Sequence, residues 1–486
     1  MTTLIDKFIA KFPCACLLRG ALERVLSPDK LNTIFEEHST RQYTRIILFS
    51  TICNLLFDVV LKTYPSALKA YLENKDNIPV SHASFYNKIN NMDTSVSQAL
   101  LRVTSDDLSK VIDEFPQRPP ILSGYSVRIL DGNCIESSEK RLKVLRGSAS
   151  APLPGKSLVV FNPDKQLVCD VFPCPDGHAQ ERSLLQHVLP TIQSGQVWIA
   201  DRNFCTQAFL SGIHEREAFF IIRKHSNLPI TYYETSKEPA FVQKTSDGVK
   251  IYEHLVKVDK MEHVRLIRVE LPRKTRNGDS FIEILTNLPA DVIAETISKL
   301  YRIRWKIETA FQHIEKNFNS EINTLAYPNA ALFSFTLSLV AYNIFSLILF
   351  SIDAAHPVEP TPVIPEPVAS NTQEDPNTDT PKEPIVSDTQ KDIKPVSEQI
   401  SSYYLAYAIA SPFPILLAFE DEVDWSFISS LSTAEFAAWL RHVSTYINCN
   451  KLLKSKPRAP KKPRTKPAYD PSKPHVSTFR LLNGIK

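Results

Sequence analysis

Hydrophobic residues in the first 118 positions recur every three or four residues, as in RIILFSTICNLLFDVVLK and SALKAYLEN. That spacing is the period of one face of an α-helix, so this region is predicted to be helical. VSHASFYNKINNM, residues 80–92, is predicted to be a helix with Ser81 as its N-cap. It fits the second helix of a helix-turn-helix, although an ordinary capped helix explains the same pattern. The prolines of FPQRPP at 115–120 mark a boundary, which gives an all-helical domain over residues 1–118.

Short apolar runs replace the helical spacing beyond residue 120. The runs YSVRILD, KSLVVF and QLVCDVF predict three strands, and QVWIA and AFFIIR predict two more. ERSLLQHVLPTI and TQAFLSGIHERE are predicted helices that precede and follow QVWIA. Three antiparallel strands followed by alternating helices and strands describe an α/β fold, a ribonuclease-H-like mixed sheet flanked by helices.

The pattern changes twice more before residue 352. Strands such as HVRLIRVEL and FIEILTNL indicate a β-rich insertion over residues 224–288. DVIAETISKLYRIRWKIETAFQHIEKNF is then predicted to be one long helix with Asp291 as its N-cap. Residues 331–350 are uncharged and about long enough to span a bilayer. Asn343, the serines and the lack of a second such segment favour a buried core helix instead. The predicted α/β domain therefore covers residues 119–352.

Composition divides the remainder of the chain into three parts. Residues 353–398 are rich in proline and acidic residues, cannot bury enough apolar surface to fold, and are predicted to be a disordered linker or a surface insertion. Residues 399–450 are predicted to be helical. Residues 451–486 begin with KLLKSKPRAPKKPRTKP, which contains no acid and is predicted to be a solvated basic tail that attracts nucleic acid. The formal net charge of +3 averages over these unequal regions.

The N-terminus has no long apolar core of the kind that a secretory signal requires. No pair of CxxC motifs is present, so a zinc site is not expected. The cysteines are therefore predicted to be reduced thiols in a cytoplasmic protein. They are Cys14, Cys16, Cys53, Cys134, Cys169, Cys174, Cys205 and Cys449.

Two aspartates follow apolar predicted strands. Asp131 ends one strand, where Gly132 is expected to turn the chain, and Asp201 ends another. Neighbouring strands would present both carboxylates at one sheet edge, and the long predicted helix would bring Glu308 to it. Three carboxylates repel one another unless cations neutralise them, and a pair of Mg²⁺ ions is the simplest solution. Alternatively, each aspartate is an ordinary turn residue, and Glu308 forms a surface ion pair with Arg304.

LDGNCI, WIADRNF and YRIRWKIE resemble the three motif regions of bacterial insertion-sequence transposases of the DDE type. The resemblance is to the insertion-sequence-four family, whose signature is Tyr, two residues, Arg, three residues, Glu, six residues, Lys. Tyr301, Arg304 and Glu308 match this spacing, whereas the lysine position is Glu315, and Lys316 follows it. GHAQERSLL, FFIIRKHSNLP and NTLAYPNAALFSFTLSLVAYNIF are also similar to family segments.

The resemblance implies that Asp131, Asp201 and Glu308 are the catalytic residues and bind two Mg²⁺ ions, with Mn²⁺ able to substitute. Water would free a 3′-hydroxyl at the element end, and that hydroxyl would attack target DNA. Tyr301 and Arg304 would hold the 5′ phosphate. Further DNA contacts are expected from Lys316, Arg202 and Arg223.

The implied partners are double-stranded DNA, as element ends and as target, and a second copy of the chain in a homodimeric nucleoprotein complex, with no membrane. The N-terminal domain is expected to recognise element ends, with Arg41, Arg45 and Lys88 as candidate contacts. A DNA hairpin intermediate would need an aromatic residue of the β-rich insertion to stack on a flipped base. The candidates there are Tyr232, Tyr233 and Tyr252, each of which is equally an ordinary strand aromatic.

Two other functions remain open. Glu315 at the lysine position is consistent with a catalytically impaired descendant that binds element ends without moving them. The three acids alone would also serve a plain ribonuclease-H-like nuclease.

Overall fold

The computed structural model describes residues 3–42, 46–233, 240–245, 248–272, 274, 278–357, 395–419, 423–455 and 474–485. Most of the predicted linker over 353–398, much of the predicted basic tail over 451–486, and Arg45 lie outside the described residues.

Helices account for most of the described chain outside one large sheet. They are α1 (Leu4–Lys11), α2 (Pro13–Val25), α3 (Pro28–His38), α4 (Phe49–Val60), α5 (Ala67–Glu73), α6 (His82–Asn90), α7 (Thr94–Asp113), α8 (Leu185–Val188), α9 (Gln207–His214), α10 (Ala294–Arg302), α11 (Trp305–Asn317), α12 (Pro328–Ala355), α13 (Val396–Gln399), α14 (Ser402–Ala410), α15 (Phe413–Ala418), α16 (Phe427–Ser430), α17 (Thr433–Thr445) and α18 (Thr478–Leu482). The N-terminal region is helical as predicted, and the Ser81 side chain caps α6 by accepting from the Ser84 N–H at 3.3 Å.

The strands are β1 (Ser126–Cys134), β2 (Pro152–Leu153), β3 (Lys156–Asn162), β4 (Leu167–Cys174), β5 (Gln196–Ala200), β6 (Phe219–Arg223), β7 (Thr231–Tyr232), β8 (Ala240–Lys244), β9 (Lys250–Val258), β10 (Met261–Glu270), β11 (Phe281–Thr286) and β12 (Val476–Ser477). The large mixed sheet has the order β4-β3-β1-β5-β6-β11-β10-β9-β7, with β8 also paired to β9. β1 pairs antiparallel with β3, and β3 pairs antiparallel with β4, whereas β1, β5 and β6 run parallel. The predicted α/β class with helices around a large mixed sheet is confirmed.

The predicted β-rich region after residue 224 continues this sheet. β11 pairs antiparallel with β6, and β10 and β9 follow it outward. The strands that follow β6 in sequence are therefore attached to the strands that carry the aspartates through one continuous hydrogen-bonded ladder.

Three local predictions are wrong. β1 does not end at Asp131, because Asp131, Gly132 and the residues up to Cys134 continue to pair with β3. The segment ERSLLQHVLPTI is not one helix, because Pro190 lacks the N–H that a longer helix needs, and the segment forms α8 between two short 3₁₀ turns. The long helix expected from Asp291 is two helices, α10 and α11, and it starts later, with Ile293 as its N-cap.

α12 is the buried core helix predicted for this segment. It is long and apolar enough to cross a membrane, but 94% of its apolar window is buried inside the protein. The Asn343 side chain accepts from the Val168 N–H and donates to the Val168 carbonyl, both at 2.8 Å. This polar residue is therefore satisfied by β4, which fixes α12 against the sheet.

The two faces of the sheet pack against different helices. Ile129 and Ile199 belong to the core that contains α7 and α12, whereas Leu130 and Ala200 belong to the core that contains α8 and α9. Successive side chains of a strand point to opposite faces. The residues that follow Leu130 and Ala200 therefore point towards the α12 side, where α11 contacts β1.

The end of the described chain returns to the sheet region. β12 pairs in parallel with β2, and Arg480 forms an ion pair with Asp176 at 2.9 Å. Ser477 donates to the same carboxylate at 2.7 Å. Residues 476–480, close to the end of the predicted basic tail, therefore pack on the rest of the molecule, whereas most of the lysine- and arginine-rich segment lies outside the described residues.

Candidate active site

Asp131 and Asp201 occupy equivalent positions on neighbouring parallel strands. The last parallel register pair of β1 and β5 is Leu130 with Ala200; Asp131 is the next residue of β1, and Asp201 directly follows the end of β5. Asp131 points towards α11 by the alternation described above, and Asp201 contacts Tyr301 of α10. The sheet thus brings two carboxylates from distant parts of the chain to one place, as predicted from the sequence.

The third acid is delivered by the break between α10 and α11. At the break the backbone forms 3₁₀-type hydrogen bonds between residues three positions apart. The Arg304 N–H donates to the Tyr301 carbonyl at 3.2 Å, and the Lys306 N–H donates to the Ile303 carbonyl at 2.8 Å. Arg304 is only 8% exposed, whereas its neighbour Trp305 is 59% exposed. The break therefore turns the guanidinium of Arg304 inward and places Glu308 in the first turn of α11.

Arg304 lies between two of the acids. Its Nη1 is 3.1 Å from Asp131 Oδ2, and its Nη2 is 2.9 Å from Glu308 Oε1. The Tyr301 hydroxyl donates to Asp201 Oδ1 at 3.4 Å. Tyr301 and Arg304 therefore link all three carboxylates, and we call Asp131, Asp201 and Glu308 the motif acids.

Burial dominates the electrostatics of this cluster. It raises the pKa of Asp131 to about 6, while Arg304 and the Gly132 N–H at 2.9 Å lower the pKa and the charges of Glu308 and Asp201 raise it. The pKa of Tyr301 is raised by burial and by Asp201. Burial acts against the charge of Arg304, but the surrounding acids, Asp131 foremost, raise its pKa above the usual value. The guanidinium is the cation that keeps the motif acids together.

The chemistry of these donors fits a hard divalent cation, since carboxylate oxygens are the ligands that Mg²⁺ prefers. Among the described residues, no group of three or more His, Cys, Asp or Glu side chains is arranged to hold a metal ion as it stands. At the motif acids, the guanidinium of Arg304 contacts Asp131 Oδ2 and Glu308 Oε1 directly. A metal ion that binds these same two oxygens would have to displace Arg304.

The other candidate DNA contacts are spread around this centre. Arg202 follows Asp201 and is exposed, and Lys316 is exposed near the end of α11. Arg223 pairs with Asp279 at 2.7 Å. Of the predicted DNA-binding residues, the structure brings only Tyr301 and Arg304 into contact with the motif acids in the described part of the chain.

Glu315 belongs to a different environment from Glu308, although both lie on α11. It lines a cavity of about 280 Å³ with Glu136 and Glu321, and we call these three residues the distal acids. Glu321 Oε2 accepts from the Glu136 N–H at 2.7 Å. Burial raises the pKa of Glu321 to about 7, and the charges of Glu136 and Glu315 add to this effect.

Sequence reasoning missed one carboxylate that lies against residues that closely follow Asp131 and Asp201. Glu181 lies in the 3₁₀ turn Glu181–Leu184 and accepts from Asn203 Nδ2 at 2.6 Å, two residues after Asp201. Its position in GHAQERSLL, one of the segments that resemble the transposase family, was the available signal.

Comparison with known proteins agrees with this geometry. Residues 123–344 match the family model described as Transposase DDE domain. The matched segment begins before β1 and ends within α12, so it contains Asp131, Asp201 and Glu308. The similarity to DDE transposases noted in the sequence is thus confirmed at the level of the domain.

A curated relative gives the same indication. A protein of Sinorhizobium fredii (strain NBRC 101917 / NGR234) named "Putative transposase y4zB" is 25% identical over 198 residues, which is 38% of this chain. The match spans about half of that relative, 51% of its length. Among solved structures, the cryo-EM structure of the piggyBac transposase synaptic complex with hairpin DNA aligns with a TM-score of 0.35 and 10% identity, over 68% of this chain and 74% of that one.

Proposed function

We propose that this chain is a transposase of the insertion-sequence-four group, with a ribonuclease-H-like catalytic domain, that cuts DNA at element ends and joins them to target DNA. The observation that carries the proposal is the meeting of the motif acids through Tyr301 and Arg304 inside a segment that matches the transposase DDE domain. Strand order and directions around β1 and β5 also agree with a ribonuclease-H-like sheet.

Asp131, Asp201 and Glu308 would hold Mg²⁺, which when bound activates an attacking oxygen and stabilises the leaving one. The side chains of this chain have complementary tasks. Arg304 and Tyr301 neutralise and order the acids when DNA is absent. When a DNA phosphate enters the site, the guanidinium of Arg304 can bind it through two parallel hydrogen bonds, as it binds a carboxylate. Arg304 can therefore leave the carboxylates and hold the DNA backbone.

In this proposal, the binding of partners involves parts of the chain outside the DDE domain. The N-terminal helices would recognise element ends, with α6 as the candidate recognition helix and Lys88 at its end. Two copies of the chain would hold two element ends, as the resemblance to the transposase family implies.

A cleavage and strand-transfer assay tests the proposal. The substrate is duplex DNA that carries the element end, incubated with the full chain and Mg²⁺ and then with a target plasmid. We expect strand cleavage and joining with the wild-type chain and loss of both, by at least about a thousandfold, with Asp131→Ala or Glu308→Ala. Glu215→Ala, an exposed acid on the surface after α9, is the matched control and should remain active.

Glu315 favours a second candidate function, an end-binding protein without cleavage. Binding of element ends with no cutting by the wild-type chain would establish that alternative. Cutting of any duplex without preference for the ends, and without joining, would instead indicate a plain nuclease.

A further inference from the structure

The parallel pairing of β1 with β5 stops one step before the aspartates. Leu130 and Ala200 form the last register pair, after which β1 continues along β3 while β5 ends. In the described chain, the strand ladder therefore no longer holds Asp131 beside Asp201. Tyr301 and Arg304 link the carboxylates themselves, and a contact between the two backbone segments would fix their distance as well.

The turn that follows Asp201 is held by the segment before α8. Glu181 Oε2 accepts from Asn203 Nδ2 at 2.6 Å, and Arg182 Nε donates to the Asn203 carbonyl at 2.6 Å. Both the side chain and the backbone of Asn203 are thus bound by two consecutive residues. These two bonds fix the short 3₁₀ turn Arg202–Phe204. The first hydrogen bond of this turn runs from the Phe204 N–H to the Asp201 carbonyl.

The other oxygen of Glu181 lies against the segment that carries Asp131. A Cβ atom at Gly132 would be only 2.3 Å from Glu181 Oε1, far inside van der Waals contact. Gly132 is part of a regular strand, so alanine would suit its backbone, and the three nearest atoms that an added Cβ would meet all belong to the carboxyl group of Glu181. Glu181 thus touches the residue after Asp131 and the residue two positions after Asp201.

We propose that Glu181 is a positioning residue that sets the spacing of Asp131 and Asp201 where the strand ladder no longer does so. The inference rests on the proposed function for its catalytic meaning. Glu181 acts through its oxygen atoms, by accepting the hydrogen bond of Asn203 and by packing on Gly132. Its negative charge is not needed for this role, which distinguishes it from a ligand of a cation.

Four variants of the full chain test the role: Glu181→Gln, Glu181→Ala, Gly132→Ala and the double variant Gly132→Ala with Glu181→Ala. We expect Glu181→Ala to reduce the DNA cleavage rate about 10- to 100-fold, the usual effect of losing a residue that orients metal-binding groups. Glu181→Gln should retain most of the activity, because its amide oxygen still accepts from Asn203. Gly132→Ala should match the loss of Glu181→Ala, since its Cβ displaces the carboxylate, and the double variant should be no worse than Glu181→Ala alone.

The proposal is overturned if Glu181→Gln is as impaired as Glu181→Ala, because the charge would then be what matters. It is also overturned if the losses of Gly132→Ala and Glu181→Ala multiply in the double variant. Glu215→Ala is the matched acid-to-alanine control.

Amide hydrogen exchange followed by mass spectrometry separates this inference from the proposed function, since it requires no activity. Faster exchange at residues 201–206 is expected in Glu181→Ala and wild-type exchange in Glu181→Gln. Unchanged exchange in Glu181→Ala would overturn the positioning role whether or not the wild-type chain cuts DNA. Failure of the wild-type chain to cleave, with the expected exchange pattern, would instead overturn only the proposed function. Circular dichroism at the assay temperature confirms that each variant is folded.

Discussion

α11 carries a member of each of two acidic clusters, and the clusters deal with their charge in opposite ways. The motif acids are joined by the buried guanidinium of Arg304 and by the hydroxyl of Tyr301. The distal acids have no ion pair to Lys or Arg within the described chain, and the pKa of Glu321 rises to about 7 instead. One cluster thus has a fixed cation among its carboxylates, whereas in the other burial and neighbouring acids favour protonation of Glu321. The comparison teaches that two acidic clusters on one helix can be stabilised by different means.

Removing the cation from the motif acids should cause the largest loss of stability. Arg304→Ala leaves the half-buried carboxylates of Asp131 and Glu308 without their cation, so we expect the free energy of unfolding at pH 7.5 to fall by about 2 kcal/mol. Urea denaturation without divalent ions measures this loss. Arg202→Ala, an exposed arginine beside Asp201, is the control and should change stability little.

In the same variant the motif acids, like the distal acids, have no arginine as an ion-pair partner among the described residues. Added Mg²⁺ should therefore bind the carboxylates that the guanidinium of Arg304 contacts in the wild-type chain. Millimolar Mg²⁺ should raise the melting temperature of Arg304→Ala more than that of the wild-type chain. An equal response of the two proteins would mean that Arg304 does not compete with a divalent ion for these carboxylates.

A gain in stability of similar size is expected from removing the proton-dependent member of the distal acids. The pKa of Glu321 is about 7 in the folded chain against a usual value of 4.5, so the folded chain holds more protons between these pH values. The contribution of Glu321 to stability is therefore lost as the pH rises from about 4.5 through about 7. Glu321→Gln keeps an acceptor for the Glu136 N–H but carries no charge at high pH, so its stability should not fall as the pH rises. At pH 8 we expect this variant to be on the order of 2 kcal/mol more stable than wild type.

Thermal or urea unfolding of Glu321→Gln and wild type at pH 4.5, 6 and 8 checks that sign. The two proteins should converge at the lowest pH. Glu215→Gln should follow the wild-type profile throughout, and a gain that is independent of pH would show that charge is not its cause.

The smallest effect is expected from supplying the distal acids with a cation. Glu315→Lys places a positive charge at the exposed rim of the cavity, where a surface ion pair contributes about 0.5 kcal/mol. Under the proposed function we expect DNA cleavage to be unchanged or raised, because the resemblance to the insertion-sequence-four family implies a lysine at this position. Gln312→Lys on the same helix controls for added positive charge. A severe loss of cleavage would show that Glu315 has a task of its own.

Much of the site followed from local patterns. Apolar runs located β1 and β5, and the acids that follow these runs lie close together because the two strands are parallel neighbours in the sheet. The continuation of β1 past Asp131 was hidden, since Gly132 suggests a turn and only pairing with β3 shows otherwise. The break before Trp305 could not be predicted from the sequence either, because it contains neither proline nor glycine. It brings Arg304 into contact with Asp131, which is far away in the sequence. Glu181 escaped notice for a similar reason, as its partners lie in two other segments.

The inward guanidinium has a practical consequence for how this protein can be handled. Proteins whose acidic or thiolate sites need an ion to fold lose their structure when a chelator removes it. Here a cation beside Asp131 and Glu308 is covalently part of the chain, so we expect EDTA to leave the melting curve of the wild-type protein unchanged. Under the proposed function, the protein could then be mixed with DNA first and the reaction started by adding Mg²⁺.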